Sequence, residues 1–253
     1  MKIVVAIRQV PERGARLRVN AAGNAIDEDG LQWGPNEPDA YALEHALALR
    51  AAAGGEVLVL SVGPERASSV LRDALAKGAD RAIHVLAADL DALAVARILA
   101  AIARQESADL LLTGLQSEDM GYGQTPVLAA GLLGVPHVTL ALDIARTEAG
   151  LRVTRELEEG WRQSVELPLP AVVAVQAGGI ALSYATLMGI KRARSKELRT
   201  VAATELGLAL EPSLVIERLT PPVKTRSTQL LEGAPDQAAA ALIAKLRNEV
   251  HVL

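Results

Sequence analysis

An α/β fold built on a parallel sheet is what this sequence predicts, on three observations. Short apolar runs alternate with longer segments of helical periodicity along residues 3–133. Helix-start and helix-stop residues fall between the two kinds of segment. With 253 residues, 50% of them hydrophobic, the chain can also bury a sheet on both faces. Strands alternating with helices need crossover connections, and crossovers put helices on both sides of a parallel sheet.

The first strand is expected at Ile3–Arg8, which opens as an unbroken aliphatic run, and the first helix at Asp39–Ala53. A strand over Glu56–Val62 leads to a helix at Ala67–Lys77, with Pro64-Glu-Arg entering it and Gly78 closing it. A third strand, Arg81–Leu86, precedes a helix at Asp91–Gln105. There Leu93, Ala96, Ile98 or Leu99, and Ile102 recur at helical spacing, and Asp89 or Asp91 supplies the N-cap. Strand Leu110–Gly114 and a helical run from Val127 to Leu133 complete the alternation.

From residue 137 the pattern turns to β. His137–Arg146, Leu151–Leu157 and Ser164–Val175 are strand-like. Pro168 and Pro170 cannot donate ladder bonds, so they mark a break or edge before Ala171–Val175. Glu156 to Trp161 reads as a hairpin turn in which Gly160 can take a positive φ. After Gly178-Gly179 a basic helical segment is expected from Tyr184 to Arg199. Pro221-Pro222 makes a stiff turn, and a last helix at Asp236–Asn248 gathers Ala239, Leu242, Ile243 and Leu246 on one face, suited to packing on another chain. Two units are expected: an α/β domain over 1–200 with its β-hairpin extension, and a C-terminal arm over 201–253.

The stretch richest in chemistry is Gly114-Leu-Gln-Ser-Glu-Asp-Met-Gly-Tyr-Gly-Gln-Thr125. A buried strand empties here into a small polar loop before a helix, which presents free backbone N–H groups and the positive end of a helix dipole. That arrangement suits a nucleotide phosphate, and in parallel sheets ligands sit beyond the carboxyl ends of the strands. The ends at Ala6, Val62 and Gly114 should therefore lie together under this loop. Ser117, Gln124 and Thr125 add side-chain donors, which favours phosphate contact over a mere tight turn at Gly121 and Gly123. Gly121-x-Gly123-x-x-Pro126 is not a dinucleotide fingerprint, because its last position is not small. Asp119 would repel a phosphate and is better suited to capping the helix or holding a ribose hydroxyl, while Asn36 and Asp39 read equally well as helix caps and as ligand contacts.

Composition excludes several classes. Cysteine is absent, so there are no disulfides or thiolate metal sites, as in a reducing compartment. The four histidines (45, 84, 137 and 251) lack ligand spacing, and no metal is expected. A net charge of -4 with dispersed basic residues argues against nucleic acid. No apolar run approaches a membrane span, no signal-peptide pattern opens the chain, and the expectation is a soluble, cytoplasmic-type protein. No local spacing suggests a catalytic nucleophile or a paired carboxylate site, so any chemistry would belong to a cofactor and the chain is not expected to be an enzyme by itself.

Val153-Thr-Arg-Glu-Leu-Glu-Glu-Gly-Trp-Arg-Gln-Ser-Val165, followed by Pro170-Ala-Val-Val-Ala174, resembles the signature of the electron transfer flavoprotein β-subunit family. Other landmarks fall in the same order: Ile3 to Pro11, Asn36-Glu-Pro-Asp39 before Ala42-Leu-Glu44, Ser61-Val-Gly-Pro64, Ala74 to Arg81, and Tyr184-Ala-Thr-Leu187. The resemblance covers roughly residues 1–200 and implies an adenine-nucleotide-binding, Rossmann-like domain. It implies a heterodimer with a larger α subunit, FAD at the shared site, and AMP in this chain, or a second FAD if the protein is of the electron-bifurcating type. It places the nucleotide against Ala6, Asn36, Glu37, Pro38, Asp39, Val62, Gly114, Gln116, Ser117, Asp119, Gly121, Gly123, Gln124 and Thr125.

The chain departs from the family pattern in two places, the first of which leaves AMP and FAD both open. Leu115 stands where the family usually has a basic residue, and Ser117-Glu118 replaces an Ala-Ile or Ala-Thr pair; in Asn36-Glu-Pro-Asp39 the proline has also moved by one position. The resemblance further makes Tyr184, Leu187, Met188 and Ile190 a recognition loop for flavin-dependent dehydrogenases, with Leu187 as anchor and the basic residues 191–199 steering the encounter. Electrons would leave to a quinone-linked or other acceptor. Trp161 is either a hairpin-tip residue or an interface contact. The alternative from another class is a free-standing adenine-nucleotide-binding regulator of the universal-stress type, but its expected glycine after Gly131-x-x-Gly134 is replaced by Ile144. An ATP-pyrophosphatase loop is absent: Gln9-Val-Pro-Glu-Arg-Gly14 follows the first strand instead.

Overall fold

A computed structural model describes residues 1–223 and 228–252. The chain forms β1 (Lys2–Ala6), β2 (Gln9–Pro11), β3 (Trp33–Pro35), α1 (Glu37–Ala53), β4 (Glu56–Gly63), α2 (Ser68–Lys77), β5 (Arg81–Leu86), α3 (Ala92–Gln105), β6 (Leu110–Gly114) and α4 (Thr125–Leu133). It continues with β7 (His137–Arg146), β8 (Leu151–Glu156), β9 (Arg162–Leu167), β10 (Ala171–Val175), α5 (Leu187–Ala193), β11 (Leu198–Ala202) and α6 (Pro235–Lys245). Among the described residues, nine strands form one sheet in the order β11-β5-β4-β1-β6-β10-β7-β8-β9. All pairings from β11 through β7 are parallel, and β7, β8 and β9 are antiparallel.

Strand pleating divides the aliphatic residues between two cores. Ile3, Val5, Val57, Val59, Leu110 and Leu112 face α1 and α2, whereas Val4, Leu58, Leu60 and Leu111 face α3 and α4. Both faces of β1, β4, β6 and β10 are thus dry, which is why these segments read as continuous apolar runs rather than alternating ones. No phenylalanine contributes, and Ala42, Ala46, Ala74, Ala96, Ala129 and Ala130 let the helices lie close on the sheet.

Four features differ from the sequence reading. The first strand stops at Ala6 because the Arg8 N–H is diverted to the Asp39 carboxylate at 2.8 Å. The pair β2–β3 is new: each has three residues, and Pro11 and Pro35 hide their β character. The β-hairpin extension is continuous with the central sheet, and β10 does not follow its neighbour β9 but slots between β6 and β7. Finally, the basic segment is not one helix. Tyr184–Thr186 precede α5, Thr186 caps it by accepting from the Gly189 N–H at 3.0 Å, and Leu198–Ala202 form a parallel edge strand on β5. Lys196 ends the helical path by donating to the carbonyls of Leu75 and Ala79 at the end of α2, which fixes the backbone that enters β11.

Elsewhere the expected punctuation appears. Asp91, not Asp89, caps α3, accepting from the Ala94 N–H at 2.8 Å. Gly160 has φ 78° in the β8–β9 turn. Residues 207–213 run along α3, where Arg97 donates to the Ala209 carbonyl and the Ser213 N–H donates to Asp91. None of the residues of α6 is buried, and Leu242 and Ile243 are exposed. Residues 224–227 and 253 of the proposed C-terminal arm lie outside the described residues.

Candidate functional site

Strand order creates the site. From β1 the chain moves outward on one side to β4 and β5, whereas β6 takes the other side of β1. The connections leaving β1 and β6 therefore diverge above their carboxyl ends, the place where open α/β sheets form a ligand crevice. Ala6 and Gly114 end their strands at this rim, and Val62 is the penultimate residue of β4, the third of three adjacent strands.

The N-terminal turn of α1 staples the two diverging connections together. Asn36 is buried: its amide donates to the Gln116 carbonyl at 3.1 Å, and its oxygen accepts from the Glu118 N–H at 2.9 Å. Asp39, also buried, accepts from the Gly114 N–H at 2.6 Å and the Arg8 N–H at 2.8 Å. Burial pushes the Asp39 carboxyl up to about 6, opposed in part by the N–H groups of Arg8 and Gly114 and by Asn36. Neither side chain caps α1; both give their oxygens to the loops around the crevice. Gly114 is glycine for a packing reason, since a Cβ there would lie 2.7 Å from the Pro38 Cβ and 2.5 Å from an Asp39 oxygen.

The loop over the rim combines conformational freedom with charge pairing. Gly121 and Gly123 take φ 67° and 63°, and the nearest atom to a Cβ on either would be 3.6 Å away, so the turn there needs glycine for its backbone and leaves space above it. Gln124 occupies the N-cap position of α4 without a side-chain capping bond, and Thr125 is the first helical residue. The N–H groups of this first turn thus point out of the helix beside the glycines. Asp119 neither caps the helix nor stands alone: Arg8 grips it through two nitrogens at 2.6–3.0 Å. Burial pushes the Asp119 carboxyl up, but the hydrogen bonds and charge of Arg8, with Ser117 and the Met120 N–H, hold it below the usual carboxylate value. Glu37 and Glu118 share Arg13 at 2.5 and 2.8 Å, which ties the β2–β3 arm to both sides of the rim. An open depression of about 310 Å³ flanks this clasp, lined by Val10, Pro11, Arg13 and Gly34 among others.

The expected cofactor residues therefore gather in one place, with two separable roles. Asn36, Pro38, Asp39 and Gly114 shape the crevice, whereas Ser117, Gly121, Gly123, Gln124 and Thr125 form the polar rim by the α4 N-terminus. This arrangement fits a nucleotide phosphate: open-sided glycines, outward N–H groups and a helix dipole, with the nearby Asp119 paired to Arg8 and with Glu37 and Glu118 sharing Arg13. The structure does not bring Tyr184, Leu187, Met188 and Ile190 to the crevice. They protrude beside α2, with Tyr184 94% and Leu187 87% exposed. Sequence reasoning missed Arg8 and Arg13. The signal for Arg8 was a charged residue directly after a buried strand, whereas Arg13 gave none.

Residues 23–206 match the model of the electron transfer flavoprotein domain. The chain is 35% identical to the electron transfer flavoprotein subunit beta of Methylophilus methylotrophus over 256 residues, covering 96% of this chain and 97% of that one. It is 34% identical to the mitochondrial subunit beta of Oryza sativa subsp. indica, with both chains fully covered. Against the subunit beta of Homo sapiens the identity is 32%, over 98% of this chain and 97% of the human one. The residues that first suggested the resemblance occupy β8, the β8–β9 turn, β9 and β10, where Val153, Val172, Val173 and Ala174 are buried. By full-length similarity and by the sheet that these residues build, the chain belongs to the electron transfer flavoprotein family, among its β subunits.

Proposed function

We propose that this chain is the adenine-nucleotide-bearing half of a two-subunit electron carrier, holding AMP, or a second FAD, in the crevice between β1 and β6. The observation that supports this most is the pairing of a strand-order reversal with an open glycine turn at the α4 N-terminus. Gly121, Gly123, Gln124 and Thr125 would receive the phosphate, with Ser117 as a further donor. Ala6, Val62 and Gln116 would line the adenosine, and Asn36, Glu37, Pro38 and Asp39 would keep the walls in place. AMP is a scaffold in this reading and supplies no redox chemistry.

A flavin shared with an α subunit would supply the chemistry, accepting and releasing electrons. The contribution of this chain is to bind, orient and dock. Tyr184, Leu187, Met188 and Ile190 form an apolar projection beside Lys191, Arg192 and Arg194, suited to an acidic-rimmed apolar hollow on a flavin-dependent dehydrogenase. Electrons then pass to a quinone-linked or other acceptor. The chain works in the cytoplasm in this reading; no helix among the described residues is long and apolar enough to cross a membrane.

Mass spectrometry of nucleotides released from the purified two-chain complex tests the assignment. One FAD and one AMP per complex identifies a simple carrier, and two FAD identifies a bifurcating one. A chain that purifies alone as a nucleotide-binding homodimer, with no flavoprotein partner, would overturn the proposal. Leu187→Ala should slow reduction by the dehydrogenase while flavin content stays constant; an unchanged rate would remove the docking assignment.

A further inference from the structure

The exposed projection is held to the domain at few points. Its first fixed point is Gly179, where an added Cβ would come within van der Waals overlap of the Leu142 carbonyl on β7. Its last is α5, where Gly189 lies equally tight against the Ala76 carbonyl and Arg72 donates to the Ala193 carbonyl at 2.9 Å. Between Gln176 and Thr186 one hydrogen-bonded tie exists among the described residues: the Glu44 carboxylate. One Glu44 oxygen accepts from the Ser183 N–H at 3.0 Å and from the Ser183 hydroxyl at 2.8 Å, with Lys77 at 3.4 Å. Glu44 is buried on α1, whose first turn forms the crevice wall through Asn36 and Asp39.

A buried carboxylate on a rigid helix that accepts twice from one loop residue fixes that residue in position and orientation. Ser183 immediately precedes Tyr184, so the geometry points to Glu44 as a positioning residue for docking. By fixing Ser183 it sets the base from which Tyr184 and Leu187 project towards a partner flavoprotein. This rests on the docking assignment proposed above. The physical gain is preorganisation: a strap already ordered loses less conformational freedom when the encounter forms. Glu44 would act on the strength of the encounter and not on the flavin.

The test uses the two-chain complex, a purified flavin-dependent dehydrogenase that reduces it, and the variants Glu44→Ala, Glu44→Gln, Ser183→Ala and Leu187→Ala. Hydrogen exchange of the Ser183 amide, read in peptides that span residues 181–186, should speed by about tenfold or more in Glu44→Ala and stay unchanged in β1, β4 and β6. KM for the dehydrogenase should rise by about fivefold to tenfold with kcat within twofold. Glu44→Gln, whose amide oxygen still accepts from Ser183, should restore most of both readouts, and Ser183→Ala should be intermediate. If Glu44→Ala does not assemble, Ser183→Ala decides: normal exchange at 181–186 or a normal KM overturns the proposal. If Leu187→Ala raises KM and Glu44→Ala does not, this proposal alone falls. If Leu187→Ala leaves KM unchanged, the docking assignment falls and takes this proposal with it.

Discussion

Gly114→Ala tests whether the crevice wall is held as the geometry implies. The added Cβ would stand 2.7 Å from the Pro38 Cβ, 2.5 Å from an Asp39 oxygen and 2.9 Å from the Asp39 nitrogen. Carbon atoms pack best at roughly 3.5–4.0 Å, so the first turn of α1 has to retreat by about 1 Å. That retreat pulls Asp39 from the Gly114 N–H, now at 2.6 Å, and loosens its hold on Arg8. Overpacking costs ~1–3 kcal/mol, and a weakened hydrogen bond to a charged acceptor adds ~1.5–3 kcal/mol, so a loss of about 3–5 kcal/mol is expected. Gly123→Ala is the control. Its φ of 63° strains any side chain by ~1–2 kcal/mol, but the nearest atom to the new Cβ would be 3.6 Å away. Urea unfolding of the two variants under identical conditions gives the comparison. Equal losses, or a Gly114→Ala loss under ~1 kcal/mol, would refute the idea that this glycine admits α1 to the rim.

Other measurements reach other parts of the molecule. His45 is buried on α1, its Nε2 without a hydrogen-bond partner among the described residues; burial lowers its pKa, and Asp143, the Leu142 carbonyl and Glu44 only partly restore it. The unfolded chain therefore takes up this proton first, so the stability His45 contributes is complete above about pH 6.5 and falls as the pH drops towards the lowered value. His45→Gln should flatten that slope in unfolding midpoints between pH 7 and pH 5; an unaltered slope excludes the histidine. Asp39 acts in the opposite sense, because its folded-state value is raised to about 6 and its proton binds to the folded chain first, adding stability as the pH falls from about 6 towards 4. Arg81 joins Glu56 and Glu106 across the amino ends of β4 and β5 and the carboxyl end of α3, and its hydrogen bond is the main cause that holds the Glu106 carboxyl below its usual value. Arg81→Met should cost ~1.5–3 kcal/mol at pH 7 by leaving Glu106 only the more distant Lys2 and Arg199, at 3.6 and 3.8 Å, and less below the folded-state value of Glu106, once that carboxyl is protonated; a loss independent of pH would argue for packing instead. Arg66 stacks 3.5 Å from the centre of the Trp33 ring and bonds Gln9, so Arg66→Ala should red-shift Trp33 emission and speed protease cutting within residues 12–32. Unaltered emission would mean that the stack does not anchor the arm.

The strands β1, β4, β5 and β6 were legible because they are buried on both faces and the helices between them are punctuated. Asp91 caps α3 and Gly78 closes α2, as such residues do locally. What escaped depends on distant partners. β11 looks helical in sequence because its basic neighbours continue the pattern of α5, and only Lys196 reaching back to the end of α2 turns the path into a strand. The position of β10 beside β6 is equally invisible locally, since Ala171–Val175 would read the same at an edge. At the site, the residues around the crevice could be gathered from strand ends alone. The division of labour among them could not, because whether Asn36 and Asp39 face a ligand or two loops is set by the approach of α1 to Gly114, a contact across 75 residues.

Placing residues 171–175 at the centre of the sheet constrains how the protein is made. During synthesis β6 and β7 are complete some 25 to 60 residues before the strand that must lie between them leaves the ribosome. Until then each presents an open edge of unpaired amides next to aliphatic side chains, the condition under which nascent chains join the wrong neighbour. A polypeptide truncated ahead of Ala171 would keep both edges open permanently, and aggregation rather than a smaller folded unit is its expected fate.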